Sequence, residues 1–397
     1  MIAIFLRKFD VVRKVFALVL AVVFAFNFNF NLYCFSLSVS AKNGAILIDS
    51  LTGDVLFEQN ADKIAPIAST TKIISTMVVL ENCTNLDEPF VVDSKAIQVE
   101  GTSMGLKPGD VVTMRDLCYG MMLMSGNDAA NAAAVRVAGS VEAFVKLMND
   151  KAKKLGLKNT LFRTPSGLDD VGGTLKKNRN SISREDILKT KMPHSTAREL
   201  AILTREAMKN TTFKEICASK KAKLCYGNPP YERTLFNHNK LLRFLNGSCC
   251  GVKTGFTSNA GRCLVSAARK NGVELIAVVL NDSDDWEDSK NLMNYGFSKF
   301  QEYELQHKFP KVKPIVFGGT ESEVSVEVER PVKVFLTKSM AKRVNMKIKA
   351  SNFNFAPIKR SEKLGEVEYY LGEEPIGKAN LVSTSFVEAD ICEEEPA

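Results

Sequence analysis

The stretch from Pro66 to Leu80 constrains the fold more than any other. Ile73, Ile74, Met77, Val78 and Leu80 leave almost no polar face on a helix of this length. Such a helix must be enclosed by other elements rather than laid on a surface. Its start carries Ser69-x-x-Lys72. Residues three apart share one helix face, so the Ser69 hydroxyl and the Lys72 amine can meet. A serine hydroxyl becomes a nucleophile when a base takes its proton. A lysine held away from water and near other cations gives up its own proton easily enough to be that base. The positive end of the helix dipole favours a nucleophile at the same place. The spacing alone is a weak signal, because a serine N-cap followed by a surface lysine looks the same. Ser339-x-x-Lys342 repeats it with nothing else around it.

An enclosed helix needs a sizeable core, and 397 residues with 45% hydrophobic and 25% charged content can build one and a second domain besides. The net charge is +8, of which Arg7, Lys8, Asp10, Arg13 and Lys14 contribute +3. The remaining +5 is dispersed and argues against a nucleic-acid binder. Those early cations precede an uncharged apolar run, Val15 to Phe26, and a small-residue site, Val39-Ser40-Ala41. This is the anatomy of a secretory signal over residues 1–41, either cleaved or kept as an uncleaved anchor. The rest of the chain is then exported. Export permits disulfides among the nine cysteines, but a domain of this size does not require them. No C-x-x-C pair occurs and the three histidines are scattered, so neither a metal site nor a cofactor is expected.

Past the export segment, Ala45–Asp49 and Val55–Glu58 flank a turn and predict a β-hairpin leading into the Ser69 stretch. A turn-rich loop spans Asp93 to Asp110. A helix over Thr113 to Met124 ends at Ser125-Gly126-Asn127, where glycine breaks it before an alanine-rich helix. Val141 to Leu155 is amphipathic. Gly172 to Lys191 is polar and lysine-rich and reads as a surface excursion. His194-Ser195-Thr196 caps a helix from Ala197 to Lys209. Cys263–Ala268 and Leu275–Leu280 read as antiparallel strands turning at Lys270-Asn271-Gly272. A helix from Asp284 to Phe300 carries Trp286, Met293, Phe297 and Phe300 on a stripe expected to pack on the sheet. From about Pro310 short alternating runs predict a small all-β domain over 311–386, followed by an acidic tail over 387–397.

Three short pieces stand out in this order: Ser69-x-x-Lys72, Ser125-x-Asn127 and Lys253-Thr254-Gly255. They sit at a helix start, a helix–helix turn and a strand. Together they form the serine-lysine signature of penicillin-binding proteins and active-site-serine β-lactamases. Their flanks, with Ser103-Met104-Gly105-Leu106-Lys107-Pro108-Gly109-Asp110, resemble the D-alanyl-D-alanine carboxypeptidases of the low-molecular-mass penicillin-binding protein group. The resemblance covers about residues 42–300, and more loosely the β-rich domain.

The resemblance implies an α+β, β-lactamase/transpeptidase-like catalytic domain over 42–305, an antiparallel sheet flanked by helices. It implies that Ser69 attacks the carbonyl between two D-alanines and forms an acyl-enzyme, with Lys72 as base. Ser125 would pass a proton to the leaving nitrogen. Asn127 would hold the substrate amide. Lys253 and Thr254 would bind the terminal carboxylate, and Gly255 would let the substrate strand lie close. The backbone N–H groups of Ser69 and Phe256 would form the oxyanion hole. The partners are then the peptidoglycan stem peptide and, as covalent inhibitors, β-lactams, outside the cytoplasm, with membrane association through the N-terminal segment.

One departure and two rivals remain. Relatives often carry a basic residue for the substrate carboxylate before the last catalytic helix. Here Asn281 to Asp288 is acidic, leaving Arg262 or Lys290 to substitute. A β-lactamase would need a deacylating glutamate, and Glu185-Asp186-Ile187-Leu188-Lys189 is a near miss. A catalytically silent wall-binding protein would be expected to lack Ser69 or Lys72.

Overall fold

The hairpin and the two later strands join a single antiparallel sheet. In the computed structural model, which describes residues 37–169, 183–190, 192–245, 247–305, 312–351 and 353–390, the strands are β1 (Gly44–Asp49), β2 (Val55–Gln59), β3 (Cys249–Thr257), β4 (Gly261–Lys270) and β5 (Val273–Leu280). Residues 1–36 of the export segment, with Cys34, most of the lysine-rich stretch and Cys392 with most of the acidic tail lie outside the described residues. The strand order is β2-β1-β5-β4-β3. β4 and β5 turn on Asn271 and Gly272, both with positive φ (51° and 81°), the two-residue loop that matches strand twist. β1 is buried along its whole length because its two faces meet different layers. Ile46 and Ile48 enter the main core. Leu47 faces a helix, where a Cβ on Gly296 would come within 2.7 Å of it.

Ser69 lies on a 3-10 turn, Ala68–Thr71, and the α-helix proper, α1, is Lys72–Asn82. Every side chain of α1 from Lys72 to Val79 is buried. Five helices touch it: α2 (Met114–Leu123), α3 (Asn127–Ala138), α4 (Val141–Lys154), α5 (Ala197–Ala207) and α6 (Thr211–Ala218). This is the enclosure that its apolar circumference demands. Thr113 and Asp116 close a reciprocal capping box on α2. The alanines of α3 are small enough for it to lie close to its neighbours, and Ala129, Ala130, Ala132, Ala133 and Ala134 are buried.

On the other face of the sheet, α7 (Asp285–Ser298) covers the strands through Leu292, Met293 and Gly296. The stripe expected to do this is therefore displaced: Met293 is in it, but Trp286 is only partly buried and turns to a cleft. Beyond α7, Gln301–Glu304 pairs with Lys333–Leu336. Four strands, β6 (Val326–Val328), β7 (Val344–Ala350), β8 (Lys363–Leu371) and β9 (Glu374–Ser383), form a second sheet in the order β6-β9-β8-β7. One helical turn, Lys338–Ala341, interrupts the β pattern. The second serine-lysine spacing sits there with Ser339 and Lys342 exposed, so it lacks the burial that would alter a lysine. The seven described cysteines are free thiols. No helix among the described residues is long and apolar enough to cross a membrane.

Candidate active site

The turn Ala68–Thr71 brings Ser69 against β3, the edge strand of the sheet. The fit is tight on two sides. A Cβ on Gly255 would lie 3.1 Å from Ile67 O and Thr70 N and 3.2 Å from Ser69 N. Gly255 thus serves the approach of the protein's own backbone to its serine, a reason distinct from the substrate contact expected of it. On the other side a Cβ on Gly167 would lie 2.1 Å from Ala68 O. Ala68 and Ser125 both adopt positive φ, 47° and 60°. Strained backbone of this kind persists only where surrounding contacts enforce it.

Lys72 is fully buried, and its ammonium position has three neighbours. Nζ is 3.1 Å from Ser69 Oγ, 2.7 Å from Asn127 Oδ1 and 2.8 Å from Ser166 O. Asn127 is fixed in orientation because its Nδ2 donates to Glu100 O at 2.8 Å. Both Asn127 Oδ1 and Ser166 O can only accept. A neutral amine has two N–H groups and one lone pair. The two acceptors take the two N–H groups, which leaves the lone pair facing the Ser69 hydroxyl. Burial pushes the Lys72 pKa well below its ordinary 10.5, and the Lys253 charge pushes it further, against a smaller opposing pull from Asp128. Asn127 is therefore engaged with Lys72 and the Glu100 main chain, whereas it was expected at the substrate amide.

Lys253 is also buried, donates to Thr254 O at 2.8 Å, and is lowered to about 7, chiefly by desolvation. Desolvation acts on both lysines, but only Lys72 is also lowered by a neighbouring ammonium. Burial thus makes both amines easier to deprotonate, and the Lys253 charge adds to this at Lys72.

A cleft of about 430 Å³ opens over this machinery. Ser69, Ser125, Thr254, Gly255 and Phe256 line it, so all three motifs reach it, while Lys72, Asn127 and Lys253 are buried behind. His238, Lys240, Arg262 and Trp286 line it too, none of them placed there by local sequence pattern. Arg262 stands opposite Phe256 in the β3–β4 register. Its Nε donates to Asp285 Oδ1 at 2.9 Å, and Asp285 is itself nearly buried. Lys290, the other candidate, pairs with Glu287 at 3.2 Å and does not line the cleft. The acidic stretch has structural uses: Asp282 and Asp288 bind Ser40, and Asp285 holds Arg262.

Two loops are held by carboxylates that local pattern did not single out. Asp128 accepts from Ser103 Oγ (2.6 Å) and from the backbone N–H groups of Met104, Gly105 and Leu106 (2.9–3.0 Å). Asp169 accepts from Thr257 Oγ1 at 2.8 Å and Asn259 Nδ2 at 3.0 Å, tying the Ser166 loop to the end of β3. Partners 24 or 88 positions apart are invisible to local pattern.

The catalytic-domain model of D-alanyl-D-alanine carboxypeptidases matches residues 35–284, and that of the penicillin-binding protein 5 C-terminal domain matches residues 300–389. The chain belongs to the D-alanyl-D-alanine carboxypeptidase family. It is 28% identical to the D-alanyl-D-alanine carboxypeptidase DacF of Bacillus subtilis over 86% of each chain. It is 31% identical to the D-alanyl-D-alanine carboxypeptidase DacC of Escherichia coli, over 86% of this chain and 83% of that one. Among solved structures it resembles penicillin-binding protein 5 from Haemophilus influenzae, at 26% identity, with a TM-score of 0.59 over 88% of this chain and 98% of that one.

Membership of this carboxypeptidase family accords with what lies outside the cleft. Glu185 pairs with Lys189 at 2.6 Å with its side chain 73% exposed, so it is no deacylating base. His194 is buried with Nδ1 against Met192 O at 2.6 Å, and the helix it was expected to cap is capped by Thr196. A larger cleft of about 740 Å³, lined by Arg205, Arg269 and Lys333, does not include Ser69. Among the described residues no cluster of three or more metal-ligating side chains occurs.

Proposed function

We propose that this serine-type D-alanyl-D-alanine carboxypeptidase removes the terminal D-alanine from peptidoglycan stem peptides through an acyl-enzyme on Ser69. The observation that carries the reading is buried Lys72 Nζ 3.1 Å from Ser69 Oγ, with the acceptors Asn127 Oδ1 and Ser166 O at 2.7 and 2.8 Å as its other two partners. Lys72 takes the hydroxyl proton as Ser69 Oγ attacks the penultimate carbonyl. The backbone N–H groups of Ser69 and Phe256, brought together across Gly255, receive the oxyanion. A donor of this kind contributes about 2.7–4 kcal/mol to the transition state. Ser125 delivers the proton to the departing D-alanine nitrogen, and water then releases the shortened peptide. Asn127 orients Lys72 in this scheme.

Thr254, with Lys253 behind it, receives the terminal carboxylate. Arg262, aimed by Asp285, supplies the guanidinium that the acidic Asn281–Asp288 stretch lacks. The N-terminal segment directs export, and the enzyme acts outside the cytoplasm. β-Lactams acylate the same serine. Intact-mass measurement after incubation with benzylpenicillin tests this: a stable adduct of one penicillin is expected on the wild type and none on Ser69→Ala. Rapid penicillin turnover without an adduct, or an adduct on the variant, contradicts the reading.

A further inference from the structure

In the small β domain, Val316–Phe317 and Asn354–Phe355 form a two-stranded parallel ribbon, with Val316 opposite Asn354 and Phe317 opposite Phe355. Side chains alternate across a strand. Val316 and Asn354 turn inward, 5% and 8% exposed, and Val316 joins a small core with Val324, Ile358, Leu364 and Val387. The outward face therefore carries Ile315, Phe317, Phe353 and Phe355, exposed by 52%, 42%, 69% and 73%. The pattern is inverted from that of a solvated ribbon, where the outer face is polar. The rings hold one another: the Phe317 centroid is 5.9 Å from those of both Phe353 and Phe355. Backbone needs are met locally, with Asn354 Nδ2 donating to Ile315 O at 3.0 Å and Ala356 N to Phe317 O at 3.0 Å.

Two features choose the occupant. The exposed part of these side chains amounts to roughly 400–500 Å², from the 150–250 Å² that a whole aromatic side chain can bury. A stable protein interface takes about 800 Å² from each partner and a hydrogen bond per 100–200 Å². This face is smaller than that, and none of its four outward side chains has a donor or acceptor. A lipid bilayer needs neither: it accepts apolar side chains whose backbone is already satisfied. Exposed Lys313, Lys359 and Arg360 lie in the flanking sequence, as do exposed Glu321 and Glu323, and the Gly319–Ala389 bridge brings exposed Glu388 and Asp390 alongside. Insertion is then driven by the rings and not by lipid charge. We infer that the Ile315/Phe317/Phe353/Phe355 face inserts into the interfacial layer of a membrane, a contact separate from the N-terminal segment.

Phe353→Trp in the full chain reports on this face directly, and wild type, whose only tryptophan is Trp286, gives the baseline. With neutral phosphatidylcholine vesicles the variant's added emission should shift to the blue. It should lose intensity when the acyl chains are brominated, keep both responses in high salt, and leave D-alanine release from a soluble peptide unchanged. An emission that vesicles do not move, or that brominated chains do not quench, overturns the inference. So does a blue shift that follows protein concentration without lipid and coincides with dimers in sedimentation, which would assign the face to a second copy. Loss of the response in high salt overturns it as well.

Discussion

Lys72 and Ser69 were legible as a pair because a helical spacing of three is a local property. What makes the pair reactive was not. Asn127, 55 positions from Lys72, and the carbonyl of Ser166, 94 positions away, decide which way the lysine lone pair points. No local pattern encodes such contacts. The substrate carboxylate presents the same contrast. Sequence offered Arg262 and Lys290 as equals, and the β3–β4 register separates them by setting Arg262 across from Phe256 in the cleft. Hydrogen bonds to charged groups are worth about 1.5–3 kcal/mol, or roughly 10- to 100-fold in binding. Arg262→Ala should therefore raise KM for a peptide ending in D-Ala-D-Ala by about tenfold or more on that scale, with a smaller change in kcat. Steady-state kinetics checks this, and an unchanged KM would remove Arg262 from carboxylate recognition.

At the scale of elements, periodicity located α1, the hairpin β1–β2 and the pair β4–β5, because each has a strong local pattern. It set the helix start near Thr70, two residues ahead of the regular helix that begins at Lys72. The 3-10 turn depends on Gly167 and Gly255 making room on either side, which is a tertiary fact. The two glycines set how closely the Ser166 loop and β3 approach the nucleophile. In Gly255→Ala the added methyl needs a few tenths of an ångström between β3 and the turn. Misplacement of reacting groups by about 1 Å can cost ~100-fold in rate. Acylation by benzylpenicillin should therefore slow about tenfold or more, while the thermal midpoint moves little, since only the edge strand shifts. Stopped-flow acylation together with a melting curve tests the claim. Equal acylation rates would show that the close approach has no catalytic value.

For the whole molecule, burying two lysines sets a pH dependence of stability. Lys253 is held at about 7 and Lys72 also well below 10.5, while the unfolded chain titrates both near 10.5. Between about 7 and 10.5 the unfolded state binds protons that the folded state does not, so stability rises with pH. One such proton is worth about 1.4 kcal/mol per pH unit. The buried thiols act oppositely: Cys118 and Cys263 are pushed up to about 12 from 9.0 by burial. Above 9 the unfolded chain releases thiol protons that the folded chain keeps, and stability falls. The urea midpoint should climb from pH 7 to about 9 and then flatten or drop, and Lys253→Met should flatten the climb. A midpoint that declines steadily from pH 7 would contradict the burial of these charges.

The small β domain was legible at this scale from its texture of short alternating strands, whereas the α+β class of the first domain followed from the family resemblance of its three motifs. The turn that interrupts that texture, and the tilt of Trp286 into the cleft, follow from packing. The account as a whole stands on Ser69 as the residue that Lys72 activates against a D-alanyl-D-alanine end. The direct measurement is free D-alanine released from a pentapeptide ending in D-Ala-D-Ala, with Ser69→Ala alongside. Release by the wild type and its loss in the variant is the result the account predicts. No release from the wild type, or equal release from both, would contradict it.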